Sequence, residues 1–153
     1  MADDVTDELV TSLLTASRVL VAVAARSLAE HNETVTITQF RTLVVLESQP
    51  GLSLQRLAEQ LAVNASTAMR MVNRLVSAGL VVRRDNPDDR REIQLSLTDA
   101  GREVVDTVTG RRRAEIDRIV RAMPAARRTE LVKALHAFAD AAGEPEPTST
   151  LDW

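Results

Sequence analysis

The stretch from residue 53 to residue 101 constrains the fold of this 153-residue chain more than any other segment. It reads SLQRLAEQLAVNASTAMRMVNRLVSAGLVVRRDNPDDRREIQLSLTDAG. Two short helical patterns meet at a tight turn, and two strand-like runs joined by a charged loop follow them. This order predicts a winged helix-turn-helix, which places one helix in the DNA major groove and a hairpin in the adjacent minor groove.

Capping and turn residues indicate where these elements begin and end. Ser53 and Asn64 are expected to cap the two helices and to lie among the residues that contact DNA, and Gly79 is expected to end the second helix. Strands are expected at Leu80–Asp85 and Ile93–Leu97, because the second run alternates apolar and polar residues. With helices on both sides of this unit, the expected fold class is mainly α with a small β-hairpin wing.

Helical spacing of apolar residues predicts further helices before and after this unit. The first, over residues 6–30, carries two apolar stripes, which fits either a central core helix or a helix that also packs against a second subunit. Thr38 is expected to cap a helix that stops at Pro50-Gly51, and Thr98 to cap a helix over about 99–122. A last helix is expected to begin with Pro124 as its first residue and to end at Gly143.

The composition excludes several classes of function. The chain has no cysteine and two histidines, His31 and His136, each without a clustered second ligand, so no metal site and no cofactor is expected. No catalytic motif is recognisable, which argues against an enzyme. No apolar run approaches the length of a bilayer and the N-terminus MADDVTDEL is acidic, so a cytoplasmic protein without membrane contact is expected.

The distribution of charge is compatible with DNA binding although the formal net charge is −3. Residues 53–97 contain seven arginines against five acidic residues, so this segment carries +2 while the rest is acidic. Arginines make up 18 of the 19 basic residues. Arginine favours forked contacts to phosphate or guanine over the point contacts of lysine.

The second helix of the unit presents a polar face that suits base recognition. Short hydroxyl side chains stand near its N-terminus, and arginines and an amide follow one and two turns later: Ser66, Thr67, Arg70, Asn73 and Arg74. Hydroxyls and a helix N-terminus bind phosphates, whereas Arg and Asn fork onto base edges. The alternative is an ordinary solvated helix face, which the adjoining turn and hairpin make the weaker interpretation.

The tip of the hairpin carries Asp89, Arg90 and Arg91. Arginine suits the narrow minor groove, where negative potential concentrates. An aspartate two residues earlier is expected to hold such a guanidinium in a fixed fork. A solvated charge run remains the alternative interpretation of this tip.

The stretch from about Thr38 to Gly101 resembles the MarR (multiple-antibiotic-resistance regulator) family of bacterial winged-helix transcription factors. The resemblance is carried by LAEQLAVNASTAMRMVNRLVSAGLV, the wing NPDDRRE and the join LSLTDAGRE. It implies a homodimer that binds a palindromic operator in double-stranded DNA. It also implies that this dimer is a repressor, which a small-molecule effector often releases from the DNA. Candidate residues around such an effector are Arg26, His31, Phe40 and Arg41, although each also fits an ordinary structural role.

The same resemblance implies one domain over residues 1–153. Its DNA-binding lobe would span about 36–101 and its dimerisation helices about 5–31 and 102–142. The tail, 143–153, has no core pattern of its own and is expected to be mobile. The alternative is a winged-helix unit used only for protein contacts, which would not need the basic face. A gel-shift assay on DNA upstream of the protein's own gene separates these alternatives.

Overall fold

The computed structural model describes residues 2–30 and 35–143, with side chains from residue 4 onward. A small antiparallel sheet lies among helices, which confirms the predicted fold class. The predictions for His31 and for the tail beyond residue 143 lie outside the described residues. The elements are α1 (Ala2–Ala29), α2 (Ile37–Ser48), β1 (Leu52–Ser53), α3 (Leu54–Gln60), α4 (Ala65–Ser77), β2 (Val81–Asp85), β3 (Ile93–Leu97), α5 (Asp99–Ala122) and α6 (Ala125–Ala142).

Side-chain caps start the helices of the lobe largely where the sequence predicts them. The side chain of Ser53 accepts from the backbone N–H of Arg56, and that of Asn64 accepts from the N–H of Thr67. Gly79 adopts a φ of 73°, a left-handed conformation that glycine tolerates at the end of a helix. These contacts confirm the predicted bounds of α3 and α4.

The predicted cap of α2 was wrong by two residues. Thr36, not Thr38, is the N-cap, because Gln39 reciprocates its hydrogen bond and completes a capping box. The Thr36 Oγ1 accepts from the Gln39 N–H at 3.2 Å, and the Gln39 Oε1 accepts from the Thr36 N–H at 2.9 Å. Similarly, Pro124 is the N-cap of α6 and not its first residue, with an extended ψ of 135°.

The wing sheet contains a strand that the sequence pattern did not reveal. β1 has only two residues and pairs antiparallel with β3, in the order β1-β3-β2. β2 pairs with β3 over its whole length, from Val81 opposite Leu97 to Asp85 opposite Ile93. Because β1 leads directly into α3, the pairing ties the base of the wing to the helix-turn-helix.

The join between β3 and α5 bonds the end of α4 and the start of β2 to the long helix α5. The Thr98 N–H donates to the Leu80 carbonyl at 3.0 Å, and its hydroxyl donates to the Gly79 carbonyl at 2.6 Å. The same hydroxyl accepts from the Gly101 N–H at 3.0 Å and caps α5. The end of α4, the start of β2 and the first turn of α5 are therefore bonded through one threonine.

The core lies between α2, α3, α4, the sheet and the first half of α5. Its fully buried side chains include Leu43, Leu46, Leu57, Leu75, Leu95, Val72, Val105 and Val108. In contrast, α6 has no buried residue, and among the described side chains of α1 only Val23, Ser27 and Leu28 are buried. A single chain therefore leaves most of its first and last helices uncovered.

The exposed surface of α1 is strongly apolar. The segment Asp4–Ala29 is long and apolar enough to cross a membrane by length and composition, so the prediction that no apolar run approaches that length was wrong. That prediction considered unbroken apolar runs, whereas five charged residues stand within this segment: Asp4, Asp7, Glu8, Arg18 and Arg26. Almost none of its surface is buried within the chain.

Candidate nucleic-acid interface

The outer face of α4 is exposed and polar while its inner face forms part of the core. Ala68, Val72 and Leu75 are buried. Ser66, Arg70 and Asn73 project from the opposite side, and Thr67 is half-buried at its edge. The fold thus gathers these four of the five predicted recognition residues on one surface, but their contacts with DNA stay a prediction.

Hydrogen bonds fix the hydroxyl-rich start of α4. The Asn64 Oδ1 accepts from the Thr67 N–H and from the Ser66 hydroxyl, each at 2.8 Å. The Arg70 Nη2 donates to the Thr67 Oγ1 at 3.2 Å. Arg70 is therefore oriented before any ligand arrives, which reduces the conformational entropy lost on binding.

The wing tip is a hydrogen-bonded turn. Asn86 bonds Glu92 through both backbone and side chain, with its Nδ2 donating to the Glu92 Oε2 at 2.9 Å. The Asp89 Oδ1 accepts from the Arg91 backbone N–H at 2.9 Å. Among the described residues no ion pair joins Asp89 to a guanidinium, so the predicted fork is absent and Asp89 shapes the turn that presents Arg90 and Arg91.

A contact between the wing and α4 was missed by the sequence reasoning. Arg83 on β2 donates from its Nη2 to the Asn73 Oδ1, and the same nitrogen lies 3.7 Å from the Met69 sulfur. Met69 is 42% exposed on the face of α4 that holds Asn73. Strand alternation was the available signal, because Arg83 stands two residues after the buried Val81 and shares its side of the sheet.

The candidate effector residues do not form one group. Arg26 is paired with Glu115 of α5 at 2.5 Å, Phe40 is buried in the core, and Arg41 is exposed on α2. A cavity of about 280 Å³ lies elsewhere, between the start of α2 and the end of α4. It is lined by Val35, Thr36, Gln39, Arg74, Leu75 and Ala78. None of the three described candidates lines it, whereas Arg74, predicted to contact DNA, does.

A helix-turn-helix whose recognition face stands beside an arginine-tipped hairpin defines the winged-helix class of DNA-binding proteins. The MarR family model matches residues 35–93, which span that unit from before the cap of α2 into β3. A solved structure, that of RV1404 from Mycobacterium tuberculosis, is 50% identical, covers 92% of this chain and 96% of that one, and superposes with a TM-score of 0.84. The chain belongs to the MarR family of transcription regulators, and not to a class of enzymes.

Named relatives match about half of the chain. The transcriptional regulator TtmR of Methylorubrum extorquens is 39% identical over 80 residues, 52% of this chain and 40% of that protein. The transcriptional repressor MdtR of Bacillus subtilis is 39% identical over 67 residues, 44% of this chain and 43% of that one. The matched part thus spans less than half the length of these relatives.

Proposed function

We propose that the protein is a homodimeric, sequence-specific repressor that binds a palindromic operator and is released by a small-molecule effector. The observation that carries the proposal is the combination of a preorganised recognition face with two helices left uncovered in the single chain. Two recognition helices would enter successive major grooves about one helical turn apart, and the wings would reach the flanking minor grooves.

Dimerisation is supported by the way the apolar stripe of α1 continues past the core. Val23 and Ser27 are buried, and Leu9 and Leu20 lie on the same side of the helix at 3.6 residues per turn. Yet Leu9 is 57% exposed and Leu20 is 44% exposed, and Phe138 of α6 is 53% exposed. Apolar surface of this extent on a regulator is expected to be covered by a second copy.

The oligomeric state can be tested with one charge placed on either side of α1. Leu9→Glu should dissociate the dimer, because it places a carboxylate in the apolar interface. Thr11→Glu is the matched control, since Thr11 is exposed between Asp7 and Arg18 on the polar side. Sedimentation velocity should show a monomer only for Leu9→Glu. A monomeric wild-type protein at micromolar concentration would contradict the proposal.

DNA binding can be tested through one arginine of the wing and one of the recognition helix α4. Arg91→Ala should weaken binding and lower the slope of log affinity against log salt by about one unit, because one phosphate-neutralising charge is lost. Arg70→Ala should relax sequence preference more than it weakens non-specific binding. Arg127→Ala is the control, because it removes the same charge from α6, where Arg127 pairs with Glu130.

Gel shifts on DNA upstream of the protein's own gene measure these effects. An unchanged affinity and slope for Arg91→Ala would remove the wing from the mechanism. Equal weakening on every sequence would make Arg70 a phosphate contact. If the protein binds no DNA at all, the alternative of a winged-helix unit used only for protein contacts would replace the proposal.

The cavity between α2 and α4 is our proposed place for the effector. It combines apolar walls at Val35, Leu75 and Ala78 with the cation of Arg74, which suits a small carboxylate with an apolar body. An occupant would favour one position of α4 relative to α2 and so one spacing of the two recognition helices. Ala78→Leu should fill the cavity and abolish the response to such compounds. A carboxylate panel that never shifts DNA affinity would contradict this part.

A further inference from the structure

The hydrogen bond between Arg83 and Asn73 determines which side of the asparagine amide is available. A guanidinium has only donors, so the atom of Asn73 that it contacts must be the carbonyl oxygen. The Nδ2 group, with its two N–H donors, is then the part of the amide left to face a ligand. This assignment follows from the chemistry of the pair, since oxygen and nitrogen of an amide are otherwise hard to tell apart.

The fold explains why Arg83 makes this contact and the neighbouring Arg84 does not. Arg83 pairs with the buried Leu95 and shares its side of the sheet, where α4 packs. Arg84 pairs with Gln94 and points to the other side. The two arginines carry the same charge one residue apart, but only Arg83 reaches the recognition helix.

Asparagine usually reads adenine with both ends of its amide, the oxygen accepting from N6 and the nitrogen donating to N7. With one lone pair of its oxygen engaged by Arg83, which occupies that end of the amide, the two N–H donors are the hydrogen-bonding groups of Asn73 that stay wholly available. A donor fits an acceptor on a base edge, and the exposed thioether of Met69 lies one helical turn away, beside the same guanidinium. Thymine presents an acceptor, O4, next to an apolar methyl group in the major groove.

We propose that Arg83 is a positioning residue that turns Asn73 toward thymine recognition, with the amide nitrogen donating to O4 and Met69 contacting the methyl group. This proposal rests on the proposed DNA-binding function. It makes the base of the wing part of the sequence-reading machinery, through the recognition helix, in addition to any contact of the wing tip with DNA.

Selection of bound sequences from a random DNA pool tests the assignment. The wild-type protein should select thymine at one position of each half-site. Arg83→Ala should reduce the preference for thymine over adenine there by at least about fivefold, the low end of discrimination by a good base contact. Asn73→Ala should lose preference at the same position, and Arg83→Lys, which retains a donor, should restore part of it.

Arg84→Ala is the matched control for charge. It should weaken binding to all sequences and lower the salt slope while keeping the selected sequence. A selected sequence that Arg83→Ala leaves unchanged would overturn the positioning role. Loss of preference at every position alike would overturn it as well, because that pattern indicates a general structural defect.

A readout without DNA separates this inference from the function it rests on. In the free protein, Arg83→Ala should shift the NMR resonances of the Asn73 side-chain NH₂ group, and Arg84→Ala should not. Equal or absent shifts would overturn the positioning role even if the protein binds DNA. If Arg83→Ala shifts these resonances but the wild-type protein selects no DNA sequence, the proposed function would be overturned and, with it, the thymine assignment.

Discussion

Replacing Gly101 with alanine tests the closest backbone approach in the molecule that involves a glycine. A Cβ at this position would lie 2.2 Å from the Leu80 carbonyl oxygen and 3.1 Å from its carbonyl carbon. Those atoms are backbone and cannot swing away as a flexible side chain would. The first turn of α5 and the start of β2 would have to separate by about 0.8 Å for the Cβ to clear 3.0 Å.

The energetic cost follows from that displacement. Overpacking of this kind costs about 1–3 kcal/mol. The 3.0 Å hydrogen bond from the Thr98 N–H to the same Leu80 oxygen would lengthen beyond bonding range, which costs about 1 kcal/mol more. The greater helix propensity of alanine returns about 0.5–1 kcal/mol. We expect Gly101→Ala to lower the free energy of unfolding by about 2 kcal/mol, or Tm by about 4–8 °C.

Gly110 of the same helix provides the control. No atom lies within 4 Å of the Cβ that alanine would add there, so Gly110→Ala should stabilise α5 by about 0.5–1 kcal/mol. Thermal unfolding followed by circular dichroism at one protein concentration measures both variants, because the stability of an oligomer depends on concentration. If Gly101→Ala were as stable as the wild type, the close packing of α5 on Leu80 would be refuted.

Further substitutions test the local contacts of the lobe and of α1. Asn64→Ala removes the cap of α4 and should cost about 1 kcal/mol in urea unfolding, whereas Asn64→Asp should keep most of that stability. A double-mutant cycle on Arg26 and Glu115 should give a coupling energy of only about 0.2–1 kcal/mol, since the pair is partly exposed; a value near zero would mean that it does not help to hold α1 on α5. Asp89→Ala should speed hydrogen exchange at the Arg91 amide, and unchanged exchange would show that the carboxylate does not order the wing tip.

Local signals were enough to predict most of the lobe. Ser53, Asn64 and Thr98 begin helices where the sequence places them, because a capping side chain acts on the backbone within three residues. The cap of α2 was misplaced because two threonines stand at alternative positions, and only the reciprocal bond from Gln39 selects Thr36. The position of this cap depends on the side chain of Gln39 alone, and a pattern of apolar and capping residues does not show that contact.

Contacts between distant segments could not be predicted in the same way. The bond from Arg83 to Asn73 depends on how the sheet packs against α4, and the two-residue strand β1 is too short to show alternation. The gathering of the recognition residues on one face of α4 was predictable, because helical periodicity alone determines it. The cavity beside Arg74 was not, because residues of two separate helices line it.

The proposed DNA-binding surface has one further property that follows from its composition. All seven basic residues between positions 53 and 97 are arginines, and that segment contains neither lysine nor histidine. The segment therefore lacks histidine, the side chain whose charge ordinarily changes near neutral pH. Lysine acetylation has no target there either. We therefore expect the affinity of this surface for phosphate to change little on mild acidification, so that control of the proposed DNA binding would act on the shape of the surface or on its occupancy.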